Sequence, residues 1–271
     1  MSEVTIIIPI HEFNDEIAKH FAYSLNSINR QEKFDGKIET IVVAPTKIIT
    51  EIADTVNKYE KLNVLLLYNN NETDFQSQIN FAVEKVKTKY FAVLEFDDEL
   101  SNKFFKNADA YIKSMPDVDI FLAMMVEVTN EGETNTVNKY TNENVWSHQF
   151  VGDTGEVGYL NSASLKEYSD FKLSGAVIKK SEFINIGGYK KNIKMTFGYE
   201  LLLRALNNSC KIYTIPRIIY KHLINREGSL FDFYSKNLPM SERKFWFDVA
   251  NKEFHYIKDR EIDLSTLKNN I

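Results

Sequence analysis

Tyr90-Phe91-Ala92-Val93-Leu94-Glu95-Phe96-Asp97-Asp98-Glu99 is an apolar strand that runs without a break into four acids within five residues. A continuous apolar run reads as a strand buried on both faces, and in open α/β sheets ligands bind at the carboxyl ends of strands. The acids therefore stand where such a fold puts its active site. Carboxylate oxygens suit hard cations such as Mg²⁺ or Mn²⁺, which commonly join one or two protein carboxylates to substrate phosphates. The bland reading is a solvated acidic turn opening the next helix, since Asp and Glu favour helix N-termini.

Upstream of this stretch, strands and helices alternate. Val4 to Ile10 is a β-branched run, and Asn14 or Asp15 can cap a helix whose apolar face is Ile17, Phe21, Leu25 and Ile28. Ile38 to Val43 reads as a second strand, Ile48 to Tyr59 as a helix and Val64 to Tyr68 as a third strand. After the turn-rich Asn69-Asn70-Asn71, the segment from Phe75 to Lys87 puts Ile79, Ala82, Val83 and Val86 on one helical face. Strands separated by helices imply βαβ crossovers, hence an α/β fold with a mostly parallel sheet.

Downstream the pattern is weaker. Residues 130 to 170 are rich in Asn, Thr, Glu, Ser and Gly, the composition of a functional loop or mobile lid. Lys172 to Lys179 reads as a strand and Phe197 to Leu206 as a helix. Lys211 to His222 is extended but interrupted by Pro216, which suits an edge strand or a bend between two strands. Ser241 to Lys258 reads as a helix with Phe245, Trp246, Val249 and Phe254 roughly on one face. That face either packs across the domain or meets a partner or membrane surface.

The 271 residues allow one large domain or a domain with an appendage. Hydrophobic residues at 44% and charged residues at 26% are ordinary globular composition and argue against extensive disorder. A net charge of −5, with Lys and Arg interspersed among acids, gives no field for a nucleic-acid partner. Cys210 is the only cysteine, which excludes an internal disulfide and a cysteine-based zinc site. No basic leader precedes the first strand and no apolar run approaches the ~20 residues that span a bilayer. The expectation is a soluble, cytoplasmic protein.

The ordered set Val4-Thr5-Ile6-Ile7-Ile8-Pro9, Ser24-Leu25-Asn26-Ser27-Ile28-Asn29-Arg30-Gln31, Glu39-Thr40-Ile41-Val42-Val43, Asn80, Leu94-Glu95-Phe96-Asp97-Asp98, Ile186-Gly187-Gly188-Tyr189, Glu200 to Ala205, Ile215-Pro216 and Tyr220-Lys221-His222 resembles the inverting glycosyltransferases of family 2. The resemblance covers roughly residues 4 to 230. It implies a GT-A (Rossmann-like) domain over residues 1–230, with a nucleotide-sugar half in 1–100 and an acceptor half in 101–230, and a helical C-terminal extension in 231–271. It also implies metal-dependent transfer of a sugar, with inversion, from a nucleoside-diphosphate sugar to a hydroxyl of a saccharide, lipid-linked or protein acceptor. With no transmembrane segment, a lipid-linked acceptor would be met by peripheral contact through the C-terminal helix.

Residue by residue, the family's Asp-X-Asp element falls on Glu95-Phe96-Asp97. Asp97 is the expected ligand of Mn²⁺ or Mg²⁺, with Asp98 as a second or outer ligand and His222 as a third. Along an extended chain Glu95 and Asp97 share one side, and Glu95 would reach the ribose or a metal-bound water. Pro9, His11, Phe13, Thr46, Asp74, Gln76 and Asn80 are the expected donor-binding residues, and Arg226 or Lys221 could pair with phosphate oxygens.

Two departures stand out. The family's catalytic Glu-Asp pair falls on Phe197-Gly198, neither of which accepts a proton. Glu200 is then the nearest candidate base, Asp153 and Glu156 are reserves, and the alternative for Glu200 is an i,i+4 pair with Arg204. The family's base-binding Asp after the second strand is also missing from Val42-Val43-Ala44-Pro45-Thr46. These gaps keep open a degenerate protein that binds sugar nucleotide or glycan without turnover. A nucleotidyltransferase is a third reading, although Ile8-Pro9-Ile10-His11-Glu12 lacks a glycine-rich phosphate loop.

Overall fold

The computed structural model describes residues 3–32, 34, 38–59, 62–69, 74–131, 134–146, 157–167, 171–224 and 238–252. In its first half, β1 (Val4–Pro9), β2 (Glu39–Ala44), β3 (Asn63–Tyr68) and β4 (Tyr90–Val93) pair in parallel in the order β3-β2-β1-β4. Helices α1 (Asp15–Asn29), α2 (Ile49–Val56) and α3 (Phe75–Lys85) return the chain between them. β1 reads as an unbroken apolar run because both of its faces are covered. Ile6 and Ile8 pack with Phe21, Leu25 and Ile28 of α1, whereas Ile7 packs with Ile79 and Val83 of α3. Asn14 caps α1 by accepting the Ile17 N–H at 2.9 Å, and Asp74 caps α3 by accepting that of Ser77 at 2.9 Å.

The second half adds β5 (Glu99–Leu100), α4 (Phe104–Ser114), β6 (Ile120–Glu131), β7 (Thr134–Thr141), α5 (Ser162–Glu167), β8 (Val177–Lys179), α6 (Lys180–Asn185), α7 (Phe197–Asn207), β9 (Ile212–Leu223) and α8 (Met240–Lys252). The sheet continues from β4 as β8-β6-β9-β5, with β7 on β6, giving nine strands among the described residues. β8 runs antiparallel to both of its neighbours, while β9 runs parallel to β6. The α/β class with helices flanking a largely parallel sheet stands, and the antiparallel joints are confined to the second half.

Several local expectations are revised. Within the weakly patterned 130–170, the described part of the chain holds a β6–β7 hairpin. Residues 130–131 and 134–141 belong to that ribbon at the margin of the sheet and Ser162–Glu167 forms α5, while 132–133, 147–156 and 168–170 lie outside the described residues. The strand expected over Lys172–Lys179 shrinks to Val177–Lys179, because a turn containing Gly175 at φ +69 precedes it. β9 is neither an edge nor two strands. It lies between β6 and β5 and absorbs Pro216 as a bulge, with Ile215 opposite Ala123 and Ile218 opposite Met124. In α8, Phe245, Trp246 and Val249 are buried together with Ile193, and Thr196 Oγ1 donates to the Trp246 carbonyl at 3.0 Å. The described part of that apolar face packs on the protein. Phe254 lies outside the described residues.

Candidate active site

The acids do not continue the β4 strand. The chain turns after Leu94, and the Asp98 N–H returns to the Glu95 carbonyl at 3.0 Å. Alternation therefore fails here, and Glu95 and Asp98, three residues apart across the turn, face each other. Phe96 packs inward, edge-on to His11 with ring centroids 6.1 Å apart. Ser24 of α1 holds the turn from below, with its hydroxyl 2.7 Å from the Phe96 carbonyl and 2.6 Å from that of Asp98.

Glu95, Asp98 and His222 come together with one ligand atom from each within 4.8 Å of the others. β9 supplies the second wall of this cluster. Asp98 Oδ2 accepts from the Tyr220 hydroxyl at 2.6 Å and lies 2.8 Å from His222 Nδ1, and Oδ1 accepts the Leu223 N–H at 2.9 Å. Tyr220 and His222 share one side of the strand, so both reach the same carboxylate. The Tyr220 hydroxyl also accepts the Glu95 N–H at 3.2 Å, and Ser174 donates to Glu95 Oε1 at 2.7 Å. Gly175 has to be glycine, because φ is +69 and a Cβ there would overlap the Tyr220 ring.

The electrostatics follow from packing acids together in a partly dry place. Burial, then the Asp98 charge, pushes the Glu95 carboxyl up. Burial also pushes Asp98 up, against the opposing pull of His222. On His222, burial acts to lower the pKa. The Asp98 charge and hydrogen bond, followed by Glu95 and Asp97, outweigh it and lift the imidazole to about 10. Neighbouring acids that raise one another make a place that a proton or a cation stabilises.

The cluster fits a hard divalent cation. Asp98 already accepts three hydrogen bonds of the roughly four a carboxylate can take, so it serves chiefly to orient His222, as carboxylates behind metal-bound histidines do. Glu95 keeps one oxygen clear of Ser174. Asp97 lies near enough to raise both Asp98 and His222, and lines a shallow cleft of about 20 Å³ with His20, Tyr23 and Lys221. Glu99, the fourth acid, is taken. It pairs with Lys221 at 2.7 Å and Arg30 at 3.2 Å, so Lys221 is engaged by a carboxylate rather than held ready for phosphate.

Other expected residues are placed as follows. Pro9 is buried at the end of β1, His11 and Thr46 are exposed beside it, and half-buried Phe13 packs edge-on against Phe21. Gln76 is buried and donates to the Ile193 carbonyl at 2.8 Å. Asn80 clips Tyr189 through both its N–H and its carbonyl, at 2.9 and 2.8 Å. Both amides are structural ties rather than contacts for a base, and the Asp74 carboxylate is spent on the α3 cap. Arg226, Asp153 and Glu156 lie outside the described residues.

Glu200 also takes a different role from a base. It is fully buried, with its two oxygens 2.7 and 2.8 Å from Arg204, and Lys190 Nζ lies 3.8 Å away. Arg204 in turn donates to the Ile186 and Gly188 carbonyls, joining α7 to the turn that Asn80 clips. With both oxygens bonded to a buried guanidinium, the Glu200 carboxylate is engaged in a structural tie rather than standing free as the expected base. Sequence reasoning missed Ser24, Ser174 and Tyr220 as parts of the site. Ser24 and Tyr220 stood within the runs that carry the resemblance, Tyr220 two residues before His222, whereas Ser174 left no signal.

No protein-family model matches the chain, and no curated protein matches it in sequence. Solved structures match its fold. S. aureus TarS 1–349 in complex with UDP-GlcNAc is 16% identical, with a TM-score of 0.67 over 98% of this chain and 69% of that one. The mannosyltransferase PcManGT from Pyrobaculum calidifontis, in complex with GDP-Man and Mn²⁺, is 12% identical, with a TM-score of 0.66 over 93% of this chain and 64% of that one. Against a longer TarS structure, at 15% identity and a TM-score of 0.61, 93% of this chain covers 43% of that chain. The chain thus has a GT-A-like α/β fold. Among the described residues no helix is long and apolar enough to cross a membrane.

Proposed function

We propose that this chain is a metal-dependent glycosyltransferase that moves a sugar from a nucleoside-diphosphate donor to an acceptor hydroxyl with inversion. The observation that carries the reading is the Glu95–Asp98–His222 cluster at the carboxyl end of β4, in a fold shared with proteins solved with UDP-GlcNAc and GDP-Man. Glu95, Asp97 and His222 would hold the cation, with Asp98, itself bonded by the Tyr220 hydroxyl, fixing the imidazole. The mixed oxygen and nitrogen donor set favours Mn²⁺ over Mg²⁺. A cation held there would supply positive charge to offset that of a departing nucleoside diphosphate. The cleft beside Asp97 is too small for a nucleotide, so the donor lies over the open ends of β1 and β2, near His11 and Thr46. We keep the division into a donor half in 1–100, an acceptor half in 101–230 and a C-terminal extension as part of this proposal.

A second reading, donor binding without transfer, draws on the absence of an acid at Phe197-Gly198 and on the sequestration of Glu200. One experiment separates the two. Thermal stabilisation by UDP and GDP is measured with and without Mn²⁺, on the native chain and on Asp97→Asn and Glu95→Gln, alongside donor consumption. A ligand at ~100-fold its Kd adds about 2.7 kcal/mol. Metal-dependent stabilisation that both variants lose, together with donor turnover, supports transfer. Stabilisation without turnover on any acceptor supports the second reading, and no stabilisation by either nucleotide defeats both.

A further inference from the structure

The bulge in β9 does more than accommodate a proline. Where Pro216 and Arg217 are skipped in the register with β6, Arg217 stands exposed beside the start of α4, and bulges commonly re-aim a side chain in this way. There it meets Lys103 and Lys106 around a groove of about 370 Å³. None of these three side chains has an ion pair or hydrogen bond among the described residues. Several other cations are paired, Arg30 and Lys221 with Glu99, Lys179 with Asp119, and Lys211 with Asp117; what sets Lys103, Lys106 and Arg217 apart is that three such groups line one concavity. In a chain of net charge −5, three unpaired cations converging on one concavity reverse the local sign of the field.

Two further features of the lining point to a ligand. Ser101, which also lines the groove, has a buried hydroxyl without a hydrogen-bond partner among the described residues. Ile218 presents an exposed apolar wall on the same groove. The volume lies at the lower end of the ~300–1,000 Å³ typical of small-molecule sites, more than a bare ion needs. We propose that the groove binds a phosphoester, its anionic oxygens held by Arg217, Lys103 and Lys106 and its carbon part resting on Ile218. Arg217 lies five residues before His222 on β9, roughly 16 Å along the strand at 3.3 Å per residue. The groove is therefore separate from the acidic cluster, and the proposal stands whether or not the chain transfers sugar.

The phosphoester could be a soluble molecule or a phospholipid headgroup, and two arms of one experiment tell them apart. Glycerol phosphate is titrated into the full chain by calorimetry, and sedimentation is measured with phosphatidylcholine vesicles with or without phosphatidylglycerol. The proteins are the native chain, Arg217→Ala, Lys103→Ala/Lys106→Ala and, as a control cation outside the groove, Lys58→Ala. The expected result is binding in at least one arm that weakens roughly ten- to hundredfold in the two groove variants, the loss of charge-assisted bonds, and is unchanged in Lys58→Ala. Melting temperatures should match across all four proteins, because these side chains have no partners to lose. Glycerol phosphate binding identifies a soluble ligand, and phosphatidylglycerol-dependent sedimentation alone identifies a headgroup. No binding in either arm, or equal weakening in Lys58→Ala, overturns the proposal.

Discussion

Glu200→Gln distinguishes a structural carboxylate from a catalytic one. Arg204 and Glu200 are both fully buried, and the guanidinium makes two bonds to the carboxylate and one to each of two backbone carbonyls. Removing the negative partner leaves a positive charge uncompensated in a dry place, which costs about 3–5 kcal/mol. At ~2–4 °C per kcal/mol for a chain of this size class, the melting temperature should fall by ~6–20 °C, with a matching drop in urea midpoint. Glu200→Leu/Arg204→Met removes both charges and should recover part of the loss. Recovery stays incomplete, because the Ile186 and Gly188 carbonyls each lose a donor at ~1–3 kcal/mol. A general base makes the opposite demand: stability hardly changes and transfer falls ~10²–10⁴-fold. A Glu200→Gln protein that melts within ~2 °C of the native chain yet transfers no sugar would refute the structural assignment and restore Glu200 as the base.

Other expectations concern the walls of the site. Gly175→Ala meets the Tyr220 ring and a left-handed backbone at once, and should cost ~1–3 kcal/mol by urea denaturation; a cost under ~0.5 kcal/mol would mean that the ring moves freely. His222 in the folded chain sits at about 10 against an ordinary 6.5, so its stabilisation is complete below pH 6.5 and lost as pH rises to 10. Measured in chelator, the stability difference between the native chain and His222→Asn should shrink steadily over that window, and a constant difference would contradict the His222–Asp98 pair. Burial, followed by Asp119 and Glu182, pushes the Cys210 thiol up to about 11. Native protein at pH 8 should then be nearly inert to a thiol reagent that labels the urea-unfolded chain fully, and rapid native labelling would place Cys210 outside the core.

What was legible in the sequence divides along a physical line. β1 and β4 were visible because burial on both faces demands an unbroken apolar run, and α1 was visible because Asn14 and a 3.6-residue stripe mark its start and its inner face. The hairpin of β6 and β7 was not, because a ribbon half in solvent carries the same Asn, Thr and Glu as a loop, and only cross-strand pairing distinguishes them. The same line runs through the site. That acids gather after β4 is a local fact, written in ten consecutive residues. Which of them face each other depends on whether the chain stays extended or turns, and the turn is fixed from a distance, by Ser24 on α1 and by Tyr220 and the Leu223 N–H on β9. Glu200 shows the limit most clearly. Its i,i+4 spacing to Arg204 is plain in the sequence and would contribute only ~0.3 kcal/mol on an exposed helix. The same spacing, closed off from water by the Ile186–Gly188 turn, becomes a buried ion pair that costs several kcal/mol to break. Spacing proposes the pair; burial, which depends on residues far away in the chain, decides what it is for.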